Sequence, residues 1–384
     1  MNTNLADAAS ALRTAITDAS RGLVERETLV EMVALSAVAG EHLLVIGPPG
    51  TAKSEAVRRV ARATGGAYFE YLLGRFTEPS ELFGPVDLRK LKDGVVETET
   101  RGMLPEAEIA FLDEIFQGST AILNTLLGLL NERTFRRGHT QMVCPLRVCV
   151  GASNALPDDD ALAAFADRFL VRIFVEPIPD PQLEALLAGG WTLGQAEVTR
   201  TASIADVDAL AQAARQADLS QLRPALAHAL RLLRAAGIAL SDRRAVKAQR
   251  LIAAAAVLAG REAPGESDLW PLLFTVPTRE QQALARDCLR DVLAATENQS
   301  LPAAAEEASL GPLARATRLA TAGRALLAVV PARDDAHAQT EWRLKLEGVA
   351  REIDAGFAAE QLPPELAAVR AELVNALRGN GETE

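Results

Sequence analysis

Cysteine, histidine and aromatic residues are scarce in this 384-residue chain, which contains 3 cysteines, 4 histidines and 4% aromatic residues. So few cysteines cannot form a disulfide framework, and we expect them to be reduced thiols. The histidines, at positions 42, 139, 228 and 337, are too scattered to pair with the cysteines in a zinc-binding spacing. These absences exclude a disulfide-stabilised protein and a zinc protein.

Long apolar segments and an excess of positive charge are also lacking. No run of about 18 apolar residues occurs, and the start, MNTNLADAAS, has neither the basic nor the apolar region of a secretion signal. We therefore expect a cytoplasmic protein without membrane insertion. The formal net charge of −11 argues against a broad nucleic-acid-binding surface but is compatible with a local basic patch or pore.

The most informative stretch is Leu43–Ser54, which reads LLVIGPPGTAKS. Its first four residues have the length and β-branched content of a buried strand, and Glu55 to Ala63 have the pattern of a helix. The Gly/Pro-rich turn between them would direct consecutive backbone N–H groups at one anion, at the positive end of the helix. The sequence therefore predicts a phosphate-binding loop.

Within this loop, Lys53 is expected to reach the β- and γ-phosphates of ATP, and the Ser54 hydroxyl is expected to ligate Mg²⁺. Ala52 occupies the position of the second glycine in the common pattern G-x-x-x-x-G-K-[ST]. Because alanine is the smallest substitute, we expect the loop to keep its form if Ala52 has a negative φ. The predicted nucleotide-binding residues of the loop are Gly47, Pro48, Pro49, Gly50, Thr51, Ala52, Lys53 and Ser54.

Two further predicted strands end in polar residues. Ile109–Glu114 reads IAFLDE, so that Asp113, 60 residues after Lys53, would hold magnesium through water and Glu114 would act as general base. Asn154 follows the apolar strand LRVCVG, at the strand end where open α/β sheets bind ligands. We expect Asn154 to contact the γ-phosphate or the attacking water. The alternative is an asparagine that merely ends a strand.

Strands and helices alternate up to the prolines that begin at Pro177, and the chain is then rich in alanine and leucine at helical spacing. We predict an N-terminal arm or helix (1–20), an α/β nucleotide-binding core with a parallel sheet (21–178), an all-α region (179–300) and a C-terminal three-helix bundle (301–384). In the all-α region, Ser241 or Asp242 would cap a helix with Arg243 and Arg244 in its first turn. Cations there oppose the helix dipole, which suggests an anionic partner. The alternative is an exposed arginine without a functional role.

Taken together, these motifs resemble the MoxR branch of the AAA+ ATPases, and most of all its RavA-type members, from about Leu23 to Trp270. The resemblance is carried by GPPGTAKS, RFTEPSELFGPVDLRKLKDG, LPEAEIAFLDEIF, ILNTLLGLLNERTFR, ASNALP, DRF and SDRR. It implies that Gly84–Met103 is the helix-2 insert and that Thr134–Cys144 is the pre-sensor hairpin. It also implies that the all-α region is the lid of an AAA+ core.

The resemblance also implies roles for single residues. Asn154 would be sensor 1, Arg243 would be sensor 2 in the lid, and Arg168 would be an arginine finger offered to the neighbouring subunit. Leu23, Val24 and Glu25 would lie near the adenine. Alanine is common in this family at the position of Ala52.

The function implied by the resemblance is that of a homo-hexameric ring that hydrolyses ATP and remodels client proteins, often with a von Willebrand factor A-domain protein. RavA-type relatives insert a small β-rich domain between the first two helices of the triple-helical region. Here only Pro331–Asp335 occupies that place, so we expect a plain connection and no lysine decarboxylase as partner.

Two other functions stay open at this point. A nucleic-acid-stimulated motor is permitted by the basic residues Arg136 and Arg137, predicted at the tip of the hairpin, although the acidic composition and the scarcity of aromatics argue against it. A P-loop kinase would need an acceptor pocket, and release of inorganic phosphate without an acceptor would distinguish an ATPase from it.

Overall fold

The computed structural model describes residues 3–178, 182–193, 199–296, 298–309, 312–331, 336–357 and 362–378. Its strands form a five-stranded sheet and a separate hairpin. The strands are β1 (Leu43–Ile46), β2 (Tyr68–Leu72), β3 (Ile109–Asp113), β4 (Thr134–Arg137), β5 (Thr140–Val143), β6 (Val148–Ser153) and β7 (Val171–Phe174).

Helices make up most of the rest of the described chain. Those of the α/β part are α1 (Thr3–Ser20), α2 (Glu27–Ala39), α3 (Lys53–Thr64), α4 (Pro79–Phe83), α5 (Leu88–Lys92), α6 (Thr120–Glu132) and α7 (Asp160–Ala166). The later helices are α8 (Leu183–Leu193), α9 (Ile204–Gln216), α10 (Leu222–Ala235), α11 (Asp242–Leu258), α12 (Arg279–Cys288), α13 (Arg290–Leu293), α14 (Pro302–Ser309), α15 (Pro312–Ala328), α16 (Ala336–Gly356) and α17 (Pro364–Arg378).

The main sheet has the order β2-β3-β6-β1-β7, and all its neighbouring strands are parallel. Its carboxyl ends therefore meet at one edge, where Ile46 pairs in register with Ser153 and Leu72 pairs with Asp113. The predicted loop after β1, the carboxylates at the end of β3 and Asn154 after β6 all lie along this edge. The topology thus positions the candidate site as the sequence predicts.

Alternate residues of β1 belong to different hydrophobic layers, as the period of two in a strand requires. Leu43 and Val45 pack with α1, α2, α3 and the later helices, whereas Leu44 and Ile46 pack with α4, α6 and α7. A parallel sheet needs such a cover on both faces. The predicted α/β class with a parallel sheet is confirmed.

The N-terminal segment is a helix on the core and not a fraying arm. In α1, Ala8, Leu12, Ala15 and Ala19 are all buried, and the helix packs against α3 and α9. The helix predicted from Leu23 begins later, at Glu27, because Gly22 and Glu25 both have positive φ. This break forms a short loop before α2.

The insert and the hairpin differ in detail from the sequence interpretation. Instead of a simple hairpin or loop, Gly84–Pro105 contains the short helix α5 and a single bridge between Val86 and Thr98. Arg136 and Arg137 lie within β4 and not at the tip, which Gly138 and His139 form because Gly138 has a φ of +59°.

The last three helices form a bundle with its own apolar core, as predicted. Trp342, Leu346 and Ile353 of α16 are buried in it, Val349 packs against it, and the Trp342 indole donates to the Leu326 carbonyl at 2.8 Å. Beyond Pro331, the predicted connection Pro331–Asp335 lies outside the described residues. The domain boundaries at 20, 178 and 300 stay predictions.

The helical part of the chain is attached to the α/β core by a helix cap. Glu31 of α2, which is 4% exposed, accepts the backbone N–H groups of Ala303 and Ala304 at 3.2 and 2.7 Å, at the start of α14. These are N–H groups that a helix cannot satisfy internally. In the part of the chain that the structure describes, no helix is both long and apolar enough to cross a membrane.

Candidate functional site

The loop between β1 and α3 leaves the sheet through a close approach to β7. The Gly47 N–H donates to the Ser153 carbonyl at 3.0 Å, and a Cβ at Gly47 would lie 2.3 Å from the carbonyl oxygen of Val175. No other residue type fits this position without moving the backbone at Val175, just after β7. Gly50, with a φ of +77°, then turns the chain toward α3.

The backbone N–H groups from Gly50 to Glu55 are not used by the protein itself. Among the described residues, none of them donates a hydrogen bond to another group. They lead into the N-terminus of α3, where the helix dipole adds partial positive charge. This segment is therefore built to receive an anion with several oxygens, such as the phosphates of a nucleotide.

Lys53 is held over the same loop. Its Nζ donates to the carbonyls of Gly47 and Pro48 at 2.8 and 2.9 Å, and the residue is 6% exposed. Burial lowers the pKa of Lys53, while the nearby carboxylates of Asp113 and Glu114 act in the opposite direction. The ammonium thus lies between the phosphate-binding loop and the acidic end of β3.

Ala52 does not have the negative φ on which the predicted form of the loop was made to depend. Ala52 has φ +58° and ψ 26°, the left-handed conformation, at the position that caps α3. For an alanine this conformation costs about 1–2 kcal/mol, because Cβ approaches the carbonyl oxygen. The turn requires this conformation in order to orient the following N–H groups, so the common glycine of the pattern is replaced here at the cost of strain.

The structure brings Asp113, Glu114 and Asn154 together. Glu114 has a φ of +49° and donates its backbone N–H to Asp113 Oδ1 at 3.0 Å. Asn154 Nδ2 donates to Glu114 Oε1 at 2.7 Å. The general base predicted from β3 is thus oriented by the amide predicted from β6. An open cavity of about 350 Å³ lies beside this pair, with Phe116 and Asp159 also in its lining.

The donor set next to the loop fits magnesium. Ser54 is half-buried at the start of α3, and its hydroxyl makes no hydrogen bond with any residue that the structure describes. Asp113 is also half-buried and accepts the Glu114 N–H through Oδ1 alone. A hydroxyl and a carboxylate are the hard oxygen ligands that Mg²⁺ combines with water and phosphate.

Arg26 is a residue of this site that the sequence analysis missed. It is 5% exposed, and it donates through Nε to the Thr51 carbonyl at 2.8 Å, and through its terminal nitrogens to the carbonyls of Glu176 at 2.7 Å and Glu25 at 2.6 Å. It therefore joins the phosphate-binding loop to the end of β7. No sequence signal could identify it, since its partners are backbone carbonyls, two of them distant in the chain.

The residues predicted near the adenine differ in exposure. Leu23 is 3% exposed and belongs to the hydrophobic core, whereas Val24 is half-buried. Val24 therefore offers more surface to a base than Leu23 does. That either residue contacts an adenine stays a prediction.

The two predicted arginines lie outside the cluster around Glu114. Arg168, just after α7, is half-buried, donates to the Ala164 carbonyl at 3.0 Å and has a buried Nε without a partner. Among the described residues it forms no ion pair, and the neighbouring Asp167 pairs with Arg244. Arg243 is exposed in the first turn of α11, which Ser241 caps through Oγ. Among the described residues, it makes no hydrogen bond or ion pair with the site residues described above.

Comparison with known proteins places the described site in a family of ATPases. Residues 10–213 match the model of the MoxR domain in the MoxR-vWA-beta-propeller ternary systems, and residues 217–285 match a model of the AAA lid domain. An uncharacterized protein of Methanocaldococcus jannaschii is 38% identical over 248 residues, which are 64% of this chain and 66% of that protein. Chaperone MoxR1 of Mycobacterium tuberculosis is 28% identical over 191 residues, 48% of this chain and 50% of that protein.

A solved structure agrees with the fold. The crystal structure of a protein from Cytophaga hutchinsonii, described as a candidate ATPase, matches with a TM-score of 0.61 at 16% identity, over 77% of this chain and 97% of that one. At this identity the match supports the fold alone. The chain spans 66% or less of the length of the curated relatives it matches.

The left-handed conformation of Ala52 can be tested by two substitutions. We expect Ala52→Gly to retain binding of a fluorescent ATP analogue and to change the free energy of unfolding by less than about 1 kcal/mol, since glycine tolerates a positive φ. Ala52→Val should lower the free energy of unfolding by about 1–3 kcal/mol and weaken binding, because a β-branched residue is strained there. Denaturant unfolding and titration measure both. Equal tolerance of the two substitutions would refute the conformation.

Proposed function

The chain belongs to the MoxR family of AAA+ ATPases, and we propose that it hydrolyses ATP, with magnesium, to remodel other proteins. The observation that carries the ATPase proposal is the convergence at one sheet edge of free loop N–H groups, Lys53 and the Glu114–Asn154 pair. The loop and Lys53 supply phosphate binding. Glu114, fixed by Asn154, supplies a base for the attacking water.

The remaining site residues take supporting roles in this proposal. Ser54 and, through water, Asp113 would hold magnesium, which neutralises charge on the β- and γ-phosphates. Arg26 keeps the loop in place through the Thr51 carbonyl. Arg243, exposed at the start of the lid helix α11, would act on the nucleotide as sensor 2. A kinase reaction has no comparable support, since family and site both favour water as the acceptor.

We propose that the protein acts as a homo-hexameric ring in which Arg168 completes the site of the neighbouring subunit. Arg168 supports this role, because it has no carboxylate partner among the described residues and carries a buried, unpaired Nε. An arginine with an ion pair of its own would be poorly available to a phosphate. The alternative is an arginine that forms an ion pair with Asp167 or another local acid and only holds the helix end; among the described residues, Asp167 pairs with Arg244.

The assignment of binding and catalysis can be separated by two variants. We expect Lys53→Ala to abolish ATP binding, because it removes charge neutralisation at the phosphates. Glu114→Gln should preserve binding and lower hydrolysis by about 10²–10⁴-fold, because it removes only the base. Calorimetric titration and phosphate release measure the two effects, and Glu280→Gln on the exposed start of α12 is the matched control. Normal turnover by Glu114→Gln would show that another group is the base.

The shared site is tested by mixing two inactive proteins. Arg168→Ala should bind ATP normally and hydrolyse it about 10³-fold or more slowly, since an arginine finger stabilises charge chiefly in the transition state. Mixing it with Glu114→Gln should restore part of the activity, because some interfaces then pair an intact Glu114 with an intact Arg168. Each variant mixed with itself is the control. If subunits exchange and no phosphate is released, Arg168 does not act across an interface.

The partners are inferred from the family model, which describes MoxR domains in ternary systems with vWA and β-propeller proteins. We propose that a vWA-domain protein binds this chain and that a β-propeller protein belongs to the same system. The client protein is the object that ATP hydrolysis would remodel. The specific likeness to the RavA-type subgroup stays a prediction.

The partner proposal predicts a change in turnover. A vWA-domain protein from the same genome should co-purify with the ring and change its rate of phosphate release at least about twofold, which is a small shift in the barrier of roughly 0.4 kcal/mol. An unrelated vWA domain is the control. If single-stranded nucleic acid stimulates hydrolysis in a salt-dependent manner and the vWA protein does not, the protein is a nucleic-acid motor instead.

A further inference from the structure

A buried arginine of the lid forms hydrogen bonds with the turn that carries Arg168. Arg244, in the first turn of α11, is 2% exposed and donates to Asp167 Oδ1 at 3.1 Å and to the Phe169 carbonyl at 3.2 Å. It also donates to the Leu170 carbonyl, and it contacts the Thr275 carbonyl through Nε at 2.9 Å and through a terminal nitrogen at 2.7 Å. One guanidinium thus joins the lid to both sides of Arg168.

A second buried arginine supports the same turn from the sheet. Arg172 of β7 is 3% exposed and donates to the Ala166 carbonyl at 2.5 Å, while its Nε and one terminal nitrogen have no partner. Burial lowers the pKa of both Arg172 and Arg244. Among the described residues, Asp167 is the one carboxylate paired with either guanidinium. Asp167 therefore pairs with one of these buried cations, Arg244, and acts on the other, Arg172, through its charge alone.

Consecutive arginines of the lid helix have different surroundings. Arg243 is exposed, whereas Arg244 is enclosed by the turn and by the Thr275 carbonyl. Arg244 is bonded to Asp167, which directly precedes Arg168 in the chain. A rotation of α11 that displaces Arg244 must therefore either move Asp167 with it or break their ion pair, which would leave the buried Arg244 guanidinium without its carboxylate.

We propose that Arg244, acting through Asp167, is a positioning residue for Arg168, so that the lid of one subunit sets how well its arginine serves the site of the next. The inference rests on the proposed function, in which Arg168 acts across the interface. It extends that function, because it connects the position of one subunit's lid with hydrolysis in the neighbouring subunit. The competing explanation is an anchor that only stabilises its own subunit.

The mixture of two inactive proteins distinguishes a positioning role of Arg244 from a purely structural one, because the arginine and the hydrolysing site then come from different subunits. In the mixture of Arg168→Ala with Glu114→Gln, the second protein donates the arginine and the first performs hydrolysis. Arg244→Lys or Asp167→Asn is added to the Glu114→Gln protein alone, so that the hydrolysing site is unchanged. We expect the restored kcat to fall about tenfold or more, with the KM for ATP unaltered. Arg250→Lys, on the exposed side of the same helix, is the matched control and should leave the restored activity unchanged.

The second arm of the experiment places the Arg244 substitution in the other protein of the mixture. When Arg244→Lys is added to the Arg168→Ala protein, the restored activity should change little, because that subunit donates no arginine. Equal loss from either placement, or no loss from the first, overturns the proposal. Thermal unfolding and light scattering verify that each variant is folded and assembled. If a variant fails this test, Asp167→Glu, which keeps the negative charge but shifts its position, is used in its place. If the original mixture restores nothing, it is the shared site that fails.

Discussion

The unpaired backbone N–H groups from Gly50 to Glu55 are the constraint on which the rest of the site depends. A loop can hold so many donors away from protein acceptors only if its shape is imposed from outside, because a free chain would turn them toward its own carbonyls. Gly47 imposes the shape by its close approach to β7, and Arg26 does so by binding the Thr51 carbonyl. Val175, which Gly47 approaches, and Glu176, whose carbonyl also binds Arg26, directly follow β7, the strand beside β1, so the sheet order itself is part of the anion site.

The sequence was sufficient for those parts of the site that depend on local pattern. A strand, a turn and a helix in succession predict the loop, and an apolar strand that ends in Asp113 and Glu114 predicts the acidic edge. The parallel sheet then brings Asn154 to Glu114, which needs no further information. The strain at Ala52 could not be predicted, since the type of residue gives no sign that the turn forces it into a positive φ.

The features of the site that the sequence did not predict depend on contacts between residues distant in the chain. Arg243 and Arg244 are equivalent in the sequence, yet one is exposed and the other is almost fully buried against backbone carbonyls of another domain. The role of Arg26 could not be predicted for the same reason, because its partners include the distant carbonyls of Thr51 and Glu176. The sequence could not distinguish an N-terminal arm from the helix α1, because the buried face of this helix consists largely of alanines. Each alanine buries little apolar area, so the periodic signal is weak.

The cap that Glu31 places on α14 bears on how such proteins can be recombined. The first residues of that helix are satisfied by a side chain more than 270 positions earlier, on α2. The α/β core and its helical appendage are therefore not interchangeable modules. A chimera that joins this core to the appendage of a relative would need an acidic residue and a helix start in matching positions, or it would expose uncapped backbone at the junction.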